Sequence, residues 1–68
     1  MKLITRCLHQ LAIGPATFGE VARAINANLS SVDRNMRVAA SCGAVRKSGD
    51  YRAHRGPGRL AHVWELMP

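Results

Sequence analysis

The sequence predicts an α+β fold that is mainly α-helical, with three helices followed by a C-terminal β-hairpin. Apolar residues recur at helical intervals up to about residue 42, and they alternate with polar residues from about residue 44 onward. A chain of 68 residues buries only roughly 60% of the surface that it exposes when unfolded, which allows one small core. We therefore expect residues 1–68 to form a single domain.

The first helix is expected at about residues 2–13. It should end at Gly14-Pro15, because glycine permits an irregular backbone and proline cannot continue a helix. Its apolar side chains exceed what one thin core layer requires, so this helix is also a candidate surface for a homodimer. The apolar residues at helical spacing are Leu3, Ile4, Cys7, Leu8, Leu11 and Ala12.

The second helix is expected at about residues 18–26 and the third at about residues 30–42. Thr17 and Glu20 have the spacing of a capping box at the start of the second helix. For the third helix, the sequence does not choose among three possible N-caps, which are Asn28, Ser30 and Ser31. With Ser30 as the cap, Asp33 would take the capping-box position. The third helix has an inner row formed by Val32, Met36, Ala39 and Gly43.

The alternating C-terminal segment predicts a hairpin at about residues 44–67. Its arms are expected at residues 45–54 and 60–66, with residues 48–50 interrupting the first arm and residues 55–59 forming the tip. His62, Trp64 and Leu66 share one face of the second arm. We expect Trp64 and Leu66 to pack against the helices.

This order of elements resembles the winged helix-turn-helix domains that bind DNA, with the third helix as the recognition helix and the hairpin as the wing. Ala22 is similar to the small residue that such domains place where the two motif helices touch. The turn has Asn26-Ala27-Asn28 where these domains usually have a glycine. Further similar positions are Leu29, Val32 and Met36, the step from Cys42 to Arg46, and the returning strand from His62 to Leu66.

The charge is consistent with a polyanionic partner. The chain has ten Lys and Arg residues but only four Asp and Glu residues, which gives a formal net charge of +6. Nucleic-acid binding begins with neutralisation of phosphates and release of counterions. The resemblance therefore implies double-stranded DNA as the partner, in a small transcriptional regulator similar to those of phages and plasmids. It implies no small-molecule effector, because no effector domain is present.

The resemblance also implies the roles of individual side chains. Arg34 is expected to contact guanine and Asn35 adenine, although Arg34 could instead form a surface salt bridge with Glu20. Cations that flank a glycine-rich tip suit the narrow minor groove, and the other polar groups suit phosphates or base edges. The complete expected set is Ser30, Ser31, Arg34, Asn35, Arg37, Arg46, Lys47, Arg52, Arg55 and Arg59.

Other functional classes fit the sequence less well. It contains no catalytic constellation and no phosphate-cradling glycine loop, so we do not expect an enzyme. Cys7 and Cys42 lack zinc-site spacing with the histidines and are expected to be reduced core or semi-buried filler, with no metal or other cofactor. No apolar run is long enough to span a bilayer, which predicts a cytoplasmic protein that associates with the nucleoid when bound. Docking to another protein and binding to RNA remain alternatives.

Overall fold

The computed structural model describes residues 1–53 and 60–67, and it confirms an α+β fold that is mainly α-helical. Three helices precede an antiparallel hairpin, an arrangement compatible with a winged-helix topology. The expected tip, which includes Arg55 and Arg59, lies outside the described residues. The elements are α1 (Leu3–Ile13), α2 (Phe18–Ala24), α3 (Leu29–Ser41), β1 (Val45–Ala53) and β2 (Leu60–Leu66).

The three helices meet around a small apolar core. Val32, Met36 and Ala39 of α3 are buried as predicted, whereas Gly43 lies beyond the helix and is exposed. From the other elements, the core receives Cys7 and Leu11 of α1, Val21 and Ala22 of α2, and Val45 of β1.

The first helix directs most of its apolar stripe into this core. Leu3, Ile4 and Leu8 are half-buried and pack against it. Ala12, which was expected to face inward, is exposed, and so is Ile13. The homodimer stays a prediction. Gly14 has φ 171°, an extended conformation open to any residue, so Pro15 rather than a special glycine conformation ends α1.

Local hydrogen bonds fix the start of both motif helices. The Thr17 hydroxyl accepts a bond from the Glu20 amide, and the Glu20 carboxylate accepts one from the Thr17 amide, which confirms the predicted capping box. Asn28 caps α3, because its Oδ1 accepts a 2.8 Å bond from the Ser30 amide. The structure thereby selects Asn28 from the three N-caps that the sequence allowed.

The turn between α2 and α3 places Asn26 in the left-handed region, with φ 55°. The Asn26 amide donates to the Arg23 carbonyl, and the Ala27 amide donates to the Ala22 carbonyl at 2.8 Å. These two bonds are those of a Schellman motif, in which the left-handed residue is usually glycine and sometimes asparagine. Asn26 therefore takes the role of the glycine that is usual at this turn.

The third helix ends in the same way. Gly43 has φ 79°, the Gly43 amide donates to the Ala40 carbonyl, and the Ala44 amide donates to the Ala39 carbonyl. Gly43 is therefore the left-handed stop of α3. The chain can then enter β1 directly at Val45.

The hairpin is held to the helices through Trp64. Its ring stacks on Phe18 with centroids 4.9 Å apart, and its backbone exchanges two hydrogen bonds, of 3.0 and 2.9 Å, with Ala16. Trp64 and Leu66 both pack against the core, as predicted. Ala16 therefore lies along one edge of β2 while β1 lies along the other.

The predicted interruption at residues 48–50 is a bulge rather than a break in β1. Lys47 pairs with Trp64 and Tyr51 with His62, so Ser48-Gly49-Asp50 lies opposite Val63 alone. Gly49 has φ 95°, which a glycine adopts without strain. Val63, expected on the face away from the helices, is only 2% exposed.

The two cysteines have different environments. Cys7 is buried, as predicted, but Cys42 is exposed, so the expectation that both are core or semi-buried filler is wrong for Cys42. Cys42 is the C-cap residue of α3, where the helix leaves the core. No helix within residues 1–53 or 60–67 is long and apolar enough to cross a bilayer.

We predict that Asn26→Val destabilises the protein by about 1–2 kcal/mol, because a β-branched residue tolerates the left-handed conformation poorly. Asn26→Gly is the matched control and should unfold at nearly the same urea concentration as the wild type. Urea unfolding followed by Trp64 fluorescence measures both changes. Equal stability of the valine and glycine variants would contradict this account of the turn.

We also predict that the two thiols differ in reactivity under native conditions. Burial raises the pKa of the Cys7 thiol above its ordinary value, so little thiolate is available for reaction. A thiol reagent should label Cys42 rapidly and Cys7 only after denaturant is added. Mass spectrometry of Cys7→Ala and Cys42→Ala variants would assign each label. Rapid native labelling of Cys7 would argue against its burial.

Candidate nucleic-acid interface

The outer face of α3 is centred on Arg34. Successive residues of a helix are rotated by about 100° around its axis. Arg34 is therefore roughly 200° from both Val32 and Met36 and is directed away from the buried row. Its side chain is exposed, and in the described part of the chain it forms no ion pair. A shallow groove, the α3 groove, runs beside it and is lined by Leu29, Ser30, Asp33, Arg34 and Arg37.

Glu20 is paired with Arg52 rather than with Arg34, the partner that the sequence left open. The Arg52 guanidinium lies 2.7 Å from the Glu20 carboxylate and connects the end of β1 to the first turn of α2. Both side chains are about half exposed, so the pair contributes little stability by itself. Its effect on the interface is to leave Arg34 without that acidic partner.

Arg37 lies in the same groove but is paired. Its Nε donates a 2.8 Å bond to the Asp33 carboxylate one turn earlier, while the arginine side chain remains 75% exposed. Such exposed pairs four residues apart are worth only a few tenths of a kcal/mol. A phosphate could therefore compete with Asp33 for the guanidinium.

Two of the predicted contact residues, Ser31 and Asn35, lie on one flank of α3. Asn35 is half-buried, and its Nδ2 donates a 2.8 Å bond to the Ser31 carbonyl. The amide group that was expected to contact adenine is thus bonded to its own helix. Ser30, in contrast, is exposed at the first turn, and its backbone amide is bonded to the Asn28 cap.

The predicted cations of β1 also differ from one another. Arg46 lies 3.4 Å from Glu65 on the paired strand, and the Lys47 ammonium lies 5.8 Å from the centroid of the Trp64 ring. Lys47 has no carboxylate partner within residues 1–53 and 60–67, so its charge is offset less than that of Arg46 or Arg52. Arg55 and Arg59 lie outside the described residues.

A second groove adjoins the first and contains a cation that the sequence analysis did not include. This α2 groove meets the α3 groove at Leu29, a residue common to both. Arg23 lies in it, in the exposed last turn of α2 just before the tight turn, and that position is the signal that could have identified it. The groove is lined by Thr17, Gly19, Glu20, Ala22, Arg23, Asn26, Ala27, Leu29 and Ala53.

The two grooves form a continuous surface from the end of β1 across α2 to the outer face of α3. Arg23 and Arg34 are the cations on this surface that have no ion pair among the described residues. Hydroxyl and guanidinium groups on such a surface can bind phosphates and base edges. No cluster of three or more metal-binding side chains occurs within the described residues.

Comparison with known proteins does not assign a family, since no protein-family model and no curated protein matches this chain.

We predict that Glu20 makes the stability of the protein dependent on pH in the acid range. The Thr17 backbone amide, and then Arg52, lower the pKa of the Glu20 carboxyl below its ordinary value of 4.5. A lowered folded pKa stabilises the native state above the unfolded pKa, and that stabilisation is lost as the pH falls through the folded pKa.

Glu20→Gln should therefore be less stable than the wild type at pH 7, and the difference should shrink below pH 4.5. Asp50→Asn is the control, because Asp50 forms no ion pair within the described residues. Urea unfolding at several pH values measures the difference. A constant gap between wild type and Glu20→Gln at every pH would show that the Glu20 charge does not stabilise the fold.

Proposed function

We propose that this protein is a winged helix-turn-helix protein that binds double-stranded DNA and acts as a small transcriptional regulator in the cytoplasm, on the nucleoid. The observation that carries the proposal is the position of Arg34. It is an exposed arginine directed away from the core, on a polar helix face that no other described element covers. The net charge of +6 supports a polyanionic partner.

The arrangement of elements supports this proposal as well. A hairpin follows α3 directly, and a residue between α1 and α2, Ala16, pairs with its returning strand. The hairpin is thereby tied to the same body as α3. The described part of β1 also reaches α2 through the Arg52–Glu20 pair, so the hairpin is held next to the α2 groove.

In the proposed complex, the N-terminal half of α3 enters the major groove. Arg34 has the two-pronged donor geometry that suits guanine, and Ser30 lies one turn earlier on the same face. Arg37 exchanges Asp33 for a phosphate. Asn35 can read adenine only by giving up its bond to the Ser31 carbonyl, so it contributes less than Arg34.

The hairpin supplies contacts to the backbone. Lys47, Arg46 and Arg52 serve phosphates, the last two after leaving their carboxylates. Arg55 and Arg59 are proposed for the minor groove on the basis of sequence alone. Because phosphate contacts release counterions, affinity should fall steeply as salt rises.

One observation favours docking to another protein as a second candidate function. Leu29 is 46% exposed and lines both grooves, so the same surface offers an apolar side chain to a protein partner. A docking module would not shift a labelled duplex, and its partner affinity would depend weakly on salt. RNA binding would instead appear as a preference for a stem-loop over a B-form duplex.

We predict that Arg34→Ala weakens binding to a selected duplex by about 1–3 kcal/mol and relaxes sequence preference at one position. Lys2→Ala removes the same charge from the residue before α1 and should have a much smaller effect. Fluorescence anisotropy with duplexes selected from a random pool measures both. If Arg34→Ala and Lys2→Ala weaken binding equally, Arg34 contributes only its charge and the proposed reading of bases fails.

We further predict that Asp33→Asn tightens duplex binding. The substitution removes a carboxylate from the α3 groove, and Arg37 no longer has to leave Asp33 to reach a phosphate, so affinity for the duplex in the same anisotropy titration should rise. Asp50→Asn changes the net charge equally outside that groove. Equal tightening by the two variants would indicate an effect of net charge rather than of the α3 groove.

A further inference from the structure

One face of the hairpin carries a row of aromatic and basic side chains that the proposed duplex contacts leave largely unused. His62 and Trp64 are two residues apart on β2 and therefore lie on the same face of the strand. The strand register places Tyr51 opposite His62 and Lys47 opposite Trp64. We refer to Lys47, Tyr51, His62 and Trp64 as the hairpin aromatic row.

The rings of this row have surfaces available for stacking. Tyr51 is 56% exposed, and its ring centroid lies 4.8 Å from that of His62 with the planes tilted by 42°. Trp64 is covered on one side by Phe18, and the Lys47 ammonium lies 5.8 Å from the centroid of its ring. The row thus combines flat apolar surfaces with a cation in one continuous strip.

Packing of the hairpin on the helices does not involve the outer half of this row, Tyr51 and His62. The hairpin is packed on the helices by Val45, Leu66 and Trp64, whereas Tyr51 and His62 are exposed beyond that contact. Their cross-strand contact stabilises the hairpin only modestly and leaves both residues exposed. The pair is therefore available to a ligand that presents flat surfaces.

The surrounding charges favour a ligand that is anionic as well as flat. Glu65 occupies the neighbouring position on β2, which belongs to the opposite face, and it is paired with Arg46. Glu20 is paired with Arg52, and Asp33 with Arg37. Asp50 lies in the bulge next to Tyr51, outside the paired positions of the row.

We propose that the hairpin aromatic row binds an unpaired segment of nucleic acid, with bases stacked on Tyr51 and His62 and a phosphate at Lys47. In a duplex, the faces of the bases are stacked on each other and cannot reach these rings. An unpaired strand presents both its base faces and its phosphates, which is the combination that aromatic and basic grooves bind.

The spacing of the row agrees with an extended strand. Residues two apart on a β-strand are separated by about 6.6 Å, roughly twice the 3.4 Å rise of stacked bases. This spacing applies to His62 and Trp64, which are two apart on β2, so bases on these two rings must be unstacked from each other, as in a single strand. This binding does not depend on the proposed insertion of α3 into the major groove.

The test compares Tyr51→Ala with Tyr51→Phe, which keeps the ring. Each variant and the wild type are titrated at low salt with a short labelled oligothymidylate, and binding is followed by fluorescence anisotropy. Trp64, the only tryptophan in the chain, provides a second signal, since a base that reaches its ring should quench its emission. A matched oligouridylate distinguishes DNA from RNA, and a duplex of equal length tests the α3 face in parallel.

Loss of one stacked base corresponds to a roughly 5- to 150-fold weaker affinity. We expect Tyr51→Ala to bind oligothymidylate that much more weakly and Tyr51→Phe to remain within about twofold of the wild type. If Tyr51→Ala does not fold, His62→Ala makes the same comparison from the opposite strand. Arg34→Ala is expected to retain binding to the single strand.

Absence of oligothymidylate binding by the wild type would overturn the proposal, and so would equal binding by Tyr51→Ala. Equal loss with Tyr51→Phe would also count against stacking. If the duplex does not bind while the single strand binds through Tyr51, single-strand binding by the hairpin aromatic row is supported and duplex binding by α3 is refuted. The reverse result leaves the α3 proposal standing and refutes the aromatic row.

Discussion

The rest of the structure depends on the contact between Trp64 and the short segment that joins α1 to α2. An isolated two-stranded hairpin is at best marginally stable in water. Here its returning strand gains a second backbone partner at Ala16 and a stacked ring at Phe18. The hairpin consequently becomes part of the helical body, and α3 and β1 keep a fixed relation on one side of the molecule.

The two turns that flank α3 are fixed by backbone conformation rather than by bulk. Asn26 and Gly43 are both left-handed, and each closes a helix with the same pair of amide-to-carbonyl bonds. The Arg6 guanidinium adds a 2.6 Å bond to the Ile25 carbonyl at the end of α2. The orientation of α3 therefore follows from hydrogen bonds at its two flanking turns as well as from the core beneath it.

The positive charge of the chain is not distributed as uniformly as its composition suggests. Three of the four carboxylates are paired with arginines, on α3, within the hairpin, and between the hairpin and α2. These exposed pairs are individually weak, so they restrain the arginines without removing them from use. Arg34 and Lys47 are the expected contacts that lie in the described residues with no such restraint. The structure thereby separates cations that are paired with a carboxylate from those that are not, a difference that residue type does not show.

Most of the fold could be predicted from the sequence, because helix periodicity, capping boxes and glycine stops act over three or four residues. Thr17 with Glu20 and the inner row of α3 are of this local kind; the first is confirmed, and the second is confirmed for Val32, Met36 and Ala39 but not for Gly43. The choice of Asn28 as the cap, the left-handed Asn26 and the exposure of Cys42 depended on the exact turn geometry, which the residue types left open.

The chemistry of the candidate site could be predicted only as a set of residue types. The Arg52–Glu20 pair joins residues 32 apart, and the Arg46–Glu65 pair joins residues 19 apart, so no local spacing encodes either contact. By itself, the sequence determined the elements and which face of α3 is polar. Tertiary structure decided which arginines are paired, that Arg23 shares the surface with Arg34, and that Tyr51 meets His62. The physical reason is that these contacts join residues that are distant in the sequence. Pairs within the hairpin form only when its strands pair, and the Arg52–Glu20 pair forms only when the hairpin docks on α2.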